Sequence, residues 1–264
     1  MKKALVLVLS LALALCLAIP ALAADDVVIY DFSDAIDAED NLGFNTGLTT
    51  GYGVPAPTVT IENNQAKMVF ANAIAGGYLS SETRSWINTF AEKAADYKYV
   101  RIYLENNTSA VLPISFVFKD ADKAWGSAEM TKAILINTKG EKVTAKVRPD
   151  YNSYTNGYIE LPVGFKGWLF MDADTSTFGL APANWNQGNT PFTSWADLAI
   201  IEWDIRDAAA DGEGYMIWDD LALVNEAKAP VTSDEPGNGG DISMLLYAAA
   251  AISGLGALVI RKKK

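Results

Sequence analysis

A chain of 264 residues with 32 acidic and 21 basic side chains, no histidine and a single cysteine, Cys16, has a narrow chemical repertoire. Six of the bases lie in the two termini, so the stretch between them sets 32 acids against 15 bases, a net charge of −17 that repels phosphate backbones and argues against nucleic acid as a partner. Without imidazole or a retained thiol, Ser-His-Asp and Cys-His hydrolysis, disulfides, ordinary zinc sites and haem or iron–sulfur ligation fall away, leaving carboxylate, lysine, tyrosine or hard-cation chemistry.

Met1, Lys2 and Lys3 open the chain as a basic n-region, residues 4–19 are apolar apart from Ser10, and Pro20 breaks the run. Ala21-Leu22-Ala23 is an A-x-A cleavage site, so residues 1–23 read as a signal peptide and the mature chain starts at Ala24. Cys16 follows Leu15 rather than a small residue, which argues against lipid attachment.

From 24 to 225 the pattern is of short alternating runs broken by Gly, Asn and Pro, which predicts one all-β ectodomain, an antiparallel β-sandwich. The runs are 27–32, 58–62, 66–70, 99–105, 112–118, 133–137, 158–161, 167–171, 198–205 and 215–224. In the fourth, Val100, Ile102 and Leu104 alternate with Arg101 and Tyr103; in the fifth, Leu112, Ile114, Phe116 and Phe118 share a face. Only 85–95 has helical periodicity. Asn63-Asn64 predicts a tight hairpin, and 210–214 another, because Asn, Asp and Gly accept positive φ at low cost.

Residues 226–241 are rich in Pro, Gly, Ser and acid, and read as a flexible linker. The run 242–260 has no charged side chain, and at about 1.5 Å per residue it just spans a bilayer core of about 30 Å. The basic tail 261–264 is expected to stay in the cytoplasm, which leaves the ectodomain outside, at the cell surface, as a monomer touching the membrane through this helix alone.

This tail, Gly240-Asp241 followed by an apolar run and an Arg-Lys cluster, resembles the cell-wall sorting signals of Gram-positive surface proteins. The Leu-Pro-x-Thr-Gly motif of that family is absent; the place reads Glu235-Pro236-Gly237-Asn238-Gly239-Gly240-Asp241, and a plain membrane anchor is the simpler expectation. Within the ectodomain, four stretches carry a second resemblance. They are Val28-Ile29-Tyr30-Asp31-Phe32-Ser33-Asp34, the segment 96–106, Leu161-Pro162-Val163-Gly164-Phe165-Lys166-Gly167-Trp168 and the segment 215–224. In their order they resemble the jelly-roll, galactose-binding-like domains of carbohydrate-binding modules. That resemblance implies a jelly roll with a polysaccharide or cell-wall glycan as partner. It also implies a structural calcium between first and last strands, for which Asp31, Asp34 and Asp219 are the candidate ligands.

Sugar recognition uses an aromatic face for the pyranose and planar polar groups for its hydroxyls. Trp125, Tyr151, Tyr154, Trp185 and Trp195 stand in polar, loop-like contexts, and Arg101 and Tyr103 are expected to project from the face of their strand opposite the core. The competing expectation is that these aromatics pack beneath loops, as Trp86, Trp203 and Trp218 are expected to do in the core. Glu202-Trp203-Asp204-Ile205-Arg206-Asp207 partly resembles the Glu-x-Asp-x-x-Glu strand of jelly-roll glycoside hydrolases, with Asp in the last place and Arg206 intervening. The expectation from sequence is a non-catalytic carbohydrate-binding or adhesion module, the alternatives being a structural surface protein and a surface glycoside hydrolase.

Overall fold

The computed structural model describes residues 26–32, 58–69, 75–80, 85–122, 124–148, 157–180, 190–205 and 214–230. The signal peptide, the apolar run 242–260, the basic tail and most of the linker lie outside them, as does the hairpin expected at 210–214. Among the described residues no helix is long and apolar enough to cross a membrane. The chain divides into two compact units, Met1–Ala229 and Pro230–Lys264.

The first unit carries fourteen described strands. In chain order they begin with β1 (Val27–Tyr30), β2 (Thr58–Glu62), β3 (Gln65–Val69), β4 (Ala75–Ser80), β5 (Tyr99–Asn106), β6 (Leu112–Asp120) and β7 (Trp125–Ser127). They continue with β8 (Ile134–Asn137), β9 (Lys142–Val143), β10 (Val147–Arg148), β11 (Tyr158–Leu161), β12 (Lys166–Asp172), β13 (Leu198–Ile205) and β14 (Tyr215–Val224). One sheet has the order β2-β3-β14-β5-β12-β8-β9, with β1 also on β14; the other has the order β10-β11-β6-β13-β4, with β7 on β6. Every strand pairing is antiparallel. The all-β, antiparallel sandwich expected from the alternation is what the chain forms.

Strand periodicity decides which side chains meet between the sheets. Val100, Ile102 and Leu104 of β5, Leu169 and Met171 of β12, and Met216 and Trp218 of β14 pack in one cluster with Ile114, Phe116 and Phe118 of β6 and Ile201 and Ile205 of β13. Each such burial contributes about 1.5–3 kcal/mol. The helix α1 (Ser85–Lys93) adds Trp86, Ile87 and Phe90, one apolar stripe at helical spacing. Trp86 stacks on Tyr30 at 5.2 Å, which ties the helix to β1. A 3₁₀ turn, Ala94–Asp96, ends it, and Tyr97 is already extended.

Asn63 and Asn64 both adopt positive φ, 54° and 61°, and join β2 to β3 in the two-residue hairpin the sequence predicts. At Gly167 the backbones of β12 and β8 come so close that an added Cβ would lie 2.1 Å from the Ile136 carbonyl oxygen, so no other residue fits there without parting the strands. Between Asp219 and Ala222 the register of β14 against β5 shifts, and Asp220 takes φ 48°. This bulge turns two successive carboxylates away from the core, which Trp218 and Leu221 enter on either side.

The larger sheet is apolar on its outer face too. Trp168 and Phe170 of β12 alternate with the core residues and join Ile136, Ala222 and Val224 in a second cluster, against which Tyr99, Tyr103 and Ile134 pack. Ala227 and Ala229, in the stretch read as linker, lie on the same cluster, and Asn225 Oδ1 accepts from the Lys98 amide at 3.2 Å.

Candidate functional site

Alternation along β6 sends Ile114, Phe116 and Phe118 inward and leaves Ser115, Val117 and Lys119 on the outer face of the six-stranded sheet. There Lys119 Nζ meets Glu202 Oε2 of β13, and the same ammonium lies 4.2 Å from the centroid of the Trp125 ring on β7. The pairings Glu202 with Val117 and Trp125 with Lys119 bring the three together. All are buried, Lys119 being 6% and Glu202 9% exposed. On the β11 side Glu160 Oε1 takes Arg148 Nε, with Lys146 Nζ at 3.6 Å, and this pair is more open to solvent.

Taking two charges out of water costs several kcal/mol per ion, and mutual attraction offsets that only with close geometry. Ser115 adds to the cost, because its hydroxyl is fully buried with no hydrogen-bond partner among the described residues, worth about 1–3 kcal/mol. Tyr158, also fully buried, completes the polar face. Sequence reasoning weighed Glu202 but missed Lys119, Ser115 and Tyr158. The signal was present, since extending the alternation of 112–118 by one residue puts Lys119 on the face of Ser115.

Two predicted aromatics are corrected. Trp125 is not a loop residue but part of a strand, 1% exposed beneath Lys119. Trp195, in a 3₁₀ turn, is 4% exposed, donates Nε1–H to the Ala173 carbonyl at 2.8 Å and packs against Phe90, Phe118, Phe178 and Phe192. The packing expectation holds for both, as it does for Trp86 and Trp218; the Trp203 side chain lies outside the described residues. So do Tyr151, Tyr154 and Trp185. The segment carrying the two tyrosines joins β10 to β11, and the one carrying Trp185 connects Leu180 to Thr190, whose carbonyl accepts from the Trp125 amide at 3.0 Å.

Arg101 and Tyr103 lie on the outer face of the larger sheet, away from Trp125, so the structure does not gather the predicted binding residues that it describes. Arg101 is on the predicted face of β5 but is not exposed: only 3% is accessible, because Nη1 donates to Asp26 at 3.0 Å and Nη2 to Asp220 at 2.8 Å. Tyr103 is half-buried, its ring 5.4 Å from Trp168, and its hydroxyl donates to Glu105 at 2.7 Å. Burial, with the Glu105 hydrogen bond and the charges of Glu105 and Asp219, holds the phenol well above its usual pKa. Burial also raises Glu105, but hydrogen bonds from Lys166, Asn107 and Tyr103 outweigh it and bring the carboxyl below its ordinary value.

The calcium expectation finds no cage in the described residues, among which no group of three or more His, Cys, Asp or Glu is arranged to hold a metal. Asp219 has one oxygen accepting from Gln65 Nε2 at 2.8 Å and the other from the Asp220 amide at 2.8 Å. Asp34 lies outside the described residues, and six to eight oxygens are needed.

Burial pushes the Asp219 carboxyl up to about 6, against the hydrogen bonds from Gln65 and Asp220, and the charges of Asp220 and Asp31 add to the rise. The native state therefore holds this proton more tightly than the unfolded chain, whose carboxyl titrates at its ordinary 3.8. Stability from this group is present below that value and is lost as pH rises from about 4 to about 6. Screening at a partly exposed carboxyl leaves an effect on the order of 1 kcal/mol. Asp219→Asn is expected to flatten this slope and to raise Tm near pH 7, with no difference near pH 4. Melts across that range check it, and parallel slopes for parent and variant would refute it. Asp220, also raised by burial, acts with the same sign in parent and variant.

No protein-family model matches the chain, and no curated protein matches it. A solved structure entitled a structural analysis of an exo-beta-agarase aligns with 88% of this chain at 12% identity and a TM-score of 0.38. The chain spans about 30% of that protein's length. The protein found is an enzyme by its title, and the expectation of a non-catalytic domain is withdrawn.

Proposed function

We propose that the domain engages a polysaccharide over the outer face of the six-stranded sheet. The observation that carries this reading is the polar content of that face. Charged side chains there are organised into the Lys119–Glu202 and Arg148–Glu160 pairs, with Ser115 and Tyr158 between strands that otherwise bury apolar groups. A sandwich does not need such groups for its core, whereas a hydroxyl-rich ligand is recognised by planar carboxylate and guanidinium groups. The segments bearing Tyr151, Tyr154 and Trp185 leave and rejoin the chain beside this sheet, which supports them as the aromatic part of the site. The leader 1–23 and the apolar run 242–260 support display at the cell surface on a membrane tether, and the strong negative charge supports a monomer.

The full chain, kept in mild detergent, is expected to bind at least one saccharide on a glycan array. Arg148→Ala, and at least one of Tyr151→Ala, Tyr154→Ala and Trp185→Ala, should each weaken that binding by about tenfold or more without lowering Tm. Release of reducing ends from the bound saccharide reads catalysis separately. An array without ligands, or four variants that bind as the parent does, would overturn the assignment of this face.

A further inference from the structure

At one end of the sandwich the turn after β8 faces the turn between β11 and β12 across a cleft of ≈ 340 Å³. Pro162 and Val163 form an apolar wall, Val163 being 53% exposed, and Thr138, Lys139 and Lys166 supply polar groups. The backbone on both sides is already paired: the Thr138 amide donates to the Lys166 carbonyl at 3.1 Å, and the Gly164 amide to Asn106 at 2.9 Å. Gly164 has φ 73°, and a Cβ built on it would meet nothing within 4 Å, so the wall is open above the turn.

The charges around this cleft run against the rest of the domain. Lys139, Lys142 and Lys166 are all exposed. The two nearby acids are engaged, Glu141 Oε2 accepting from Asn137 Nδ2 at 2.8 Å and Glu105 holding Lys166 at 2.8 Å. Lys139 Nζ and the Thr138 hydroxyl have no partner among the described residues. A free ammonium and a free hydroxyl beside an apolar wall match a sugar ring that carries an anionic group. Such a ring would rest its apolar side on Pro162 and Val163 and meet Lys139 with its anion.

We infer that this cleft is a second saccharide site, selective for an acidic sugar unit held through its anionic group. Its lining residues lie in turns and at strand ends, one of the turns leading out of β11, and none of them is on the outer face of the six-stranded sheet. The choice of a sugar acid over other anions does rest on reading the domain as carbohydrate-facing.

The test titrates the full chain in mild detergent with oligogalacturonate, its methyl ester and polyglutamate. Oligogalacturonate is expected to bind, the ester to bind about tenfold or more weakly, and polyglutamate not to compete. Lys139→Glu should weaken oligogalacturonate by about tenfold or more, whereas Lys93→Glu, an equal charge change at the exposed end of α1, should not. Arg148→Ala should leave this binding intact, which separates the cleft from the six-stranded face. Equal loss in Lys93→Glu and Lys139→Glu would reduce the effect to net charge and overturn the site. Competition by polyglutamate would overturn the sugar class, and no oligogalacturonate binding would overturn the inference whatever the array shows.

Discussion

Trp195→Ala is expected to destabilise the domain by about 3–5 kcal/mol, the cost of emptying an indole-sized volume in a closed core. Its ring centroid lies 4.8 Å from that of Phe118, 5.3 Å from Phe90, 5.5 Å from Phe192 and 5.6 Å from Phe178. These four rings come from α1, β6 and two loop segments, so the indole is the shared contact that holds the loops against the helix and the sheet. The lost Nε1–H bond would also strand the Ala173 carbonyl, at about 1 kcal/mol. Trp195→Phe keeps a ring in place and should lose less than half as much. Urea titration of the three proteins measures the series. An alanine variant within about 1 kcal/mol of the parent would return Trp195 to the surface and restore it as a candidate sugar platform.

Strand alternation made much of this fold legible, because a local period of two assigns each side chain to a face. Val100, Ile102 and Leu104 were placed inward and Arg101 and Tyr103 outward from sequence, and the structure agrees. What lies over a face is not local. Arg101 is covered by Asp26 and Asp220, which are 75 and 119 residues away in sequence, and no window around β5 contains them. For the same reason Trp125 and Trp195 looked exposed: their sequence neighbours are polar, but strand pairing buries one and an aromatic cluster the other. The run 167–171, read among the alternating ones, does not alternate after Gly167, because β12 is apolar on both faces, Leu169 and Met171 inward and Trp168 and Phe170 outward. Strand β4 contains Gly76 and Gly77 and escaped the sequence reading, since its pairing with β13 is set by the backbone rather than by side-chain pattern. Asn63-Asn64, where the requirement for positive φ is itself local, was read correctly.

The Lys119–Glu202 pair separates a structural from a functional account of the six-stranded face. Either single change, Lys119→Met or Glu202→Leu, breaks a buried ion pair from one side, and each is expected to cost about 3–5 kcal/mol. Changing both together removes two desolvation penalties along with one attraction, and should return stability to within about 1–2 kcal/mol of the parent. The Trp125 ring still faces the ammonium in Glu202→Leu and solvates it in part, which holds the cost of that change toward the lower end of the range. Denaturant titration of the four proteins gives the coupling energy, which should reach a few kcal/mol; near-additive singles would mean that the contact contributes little to stability. Saccharide binding by the double variant then decides the role. With stability recovered, a pair that serves only the fold leaves affinity unchanged, whereas a pair that orients the polar face for its ligand takes affinity away by about tenfold or more. The reading of this face as the saccharide site requires the second outcome.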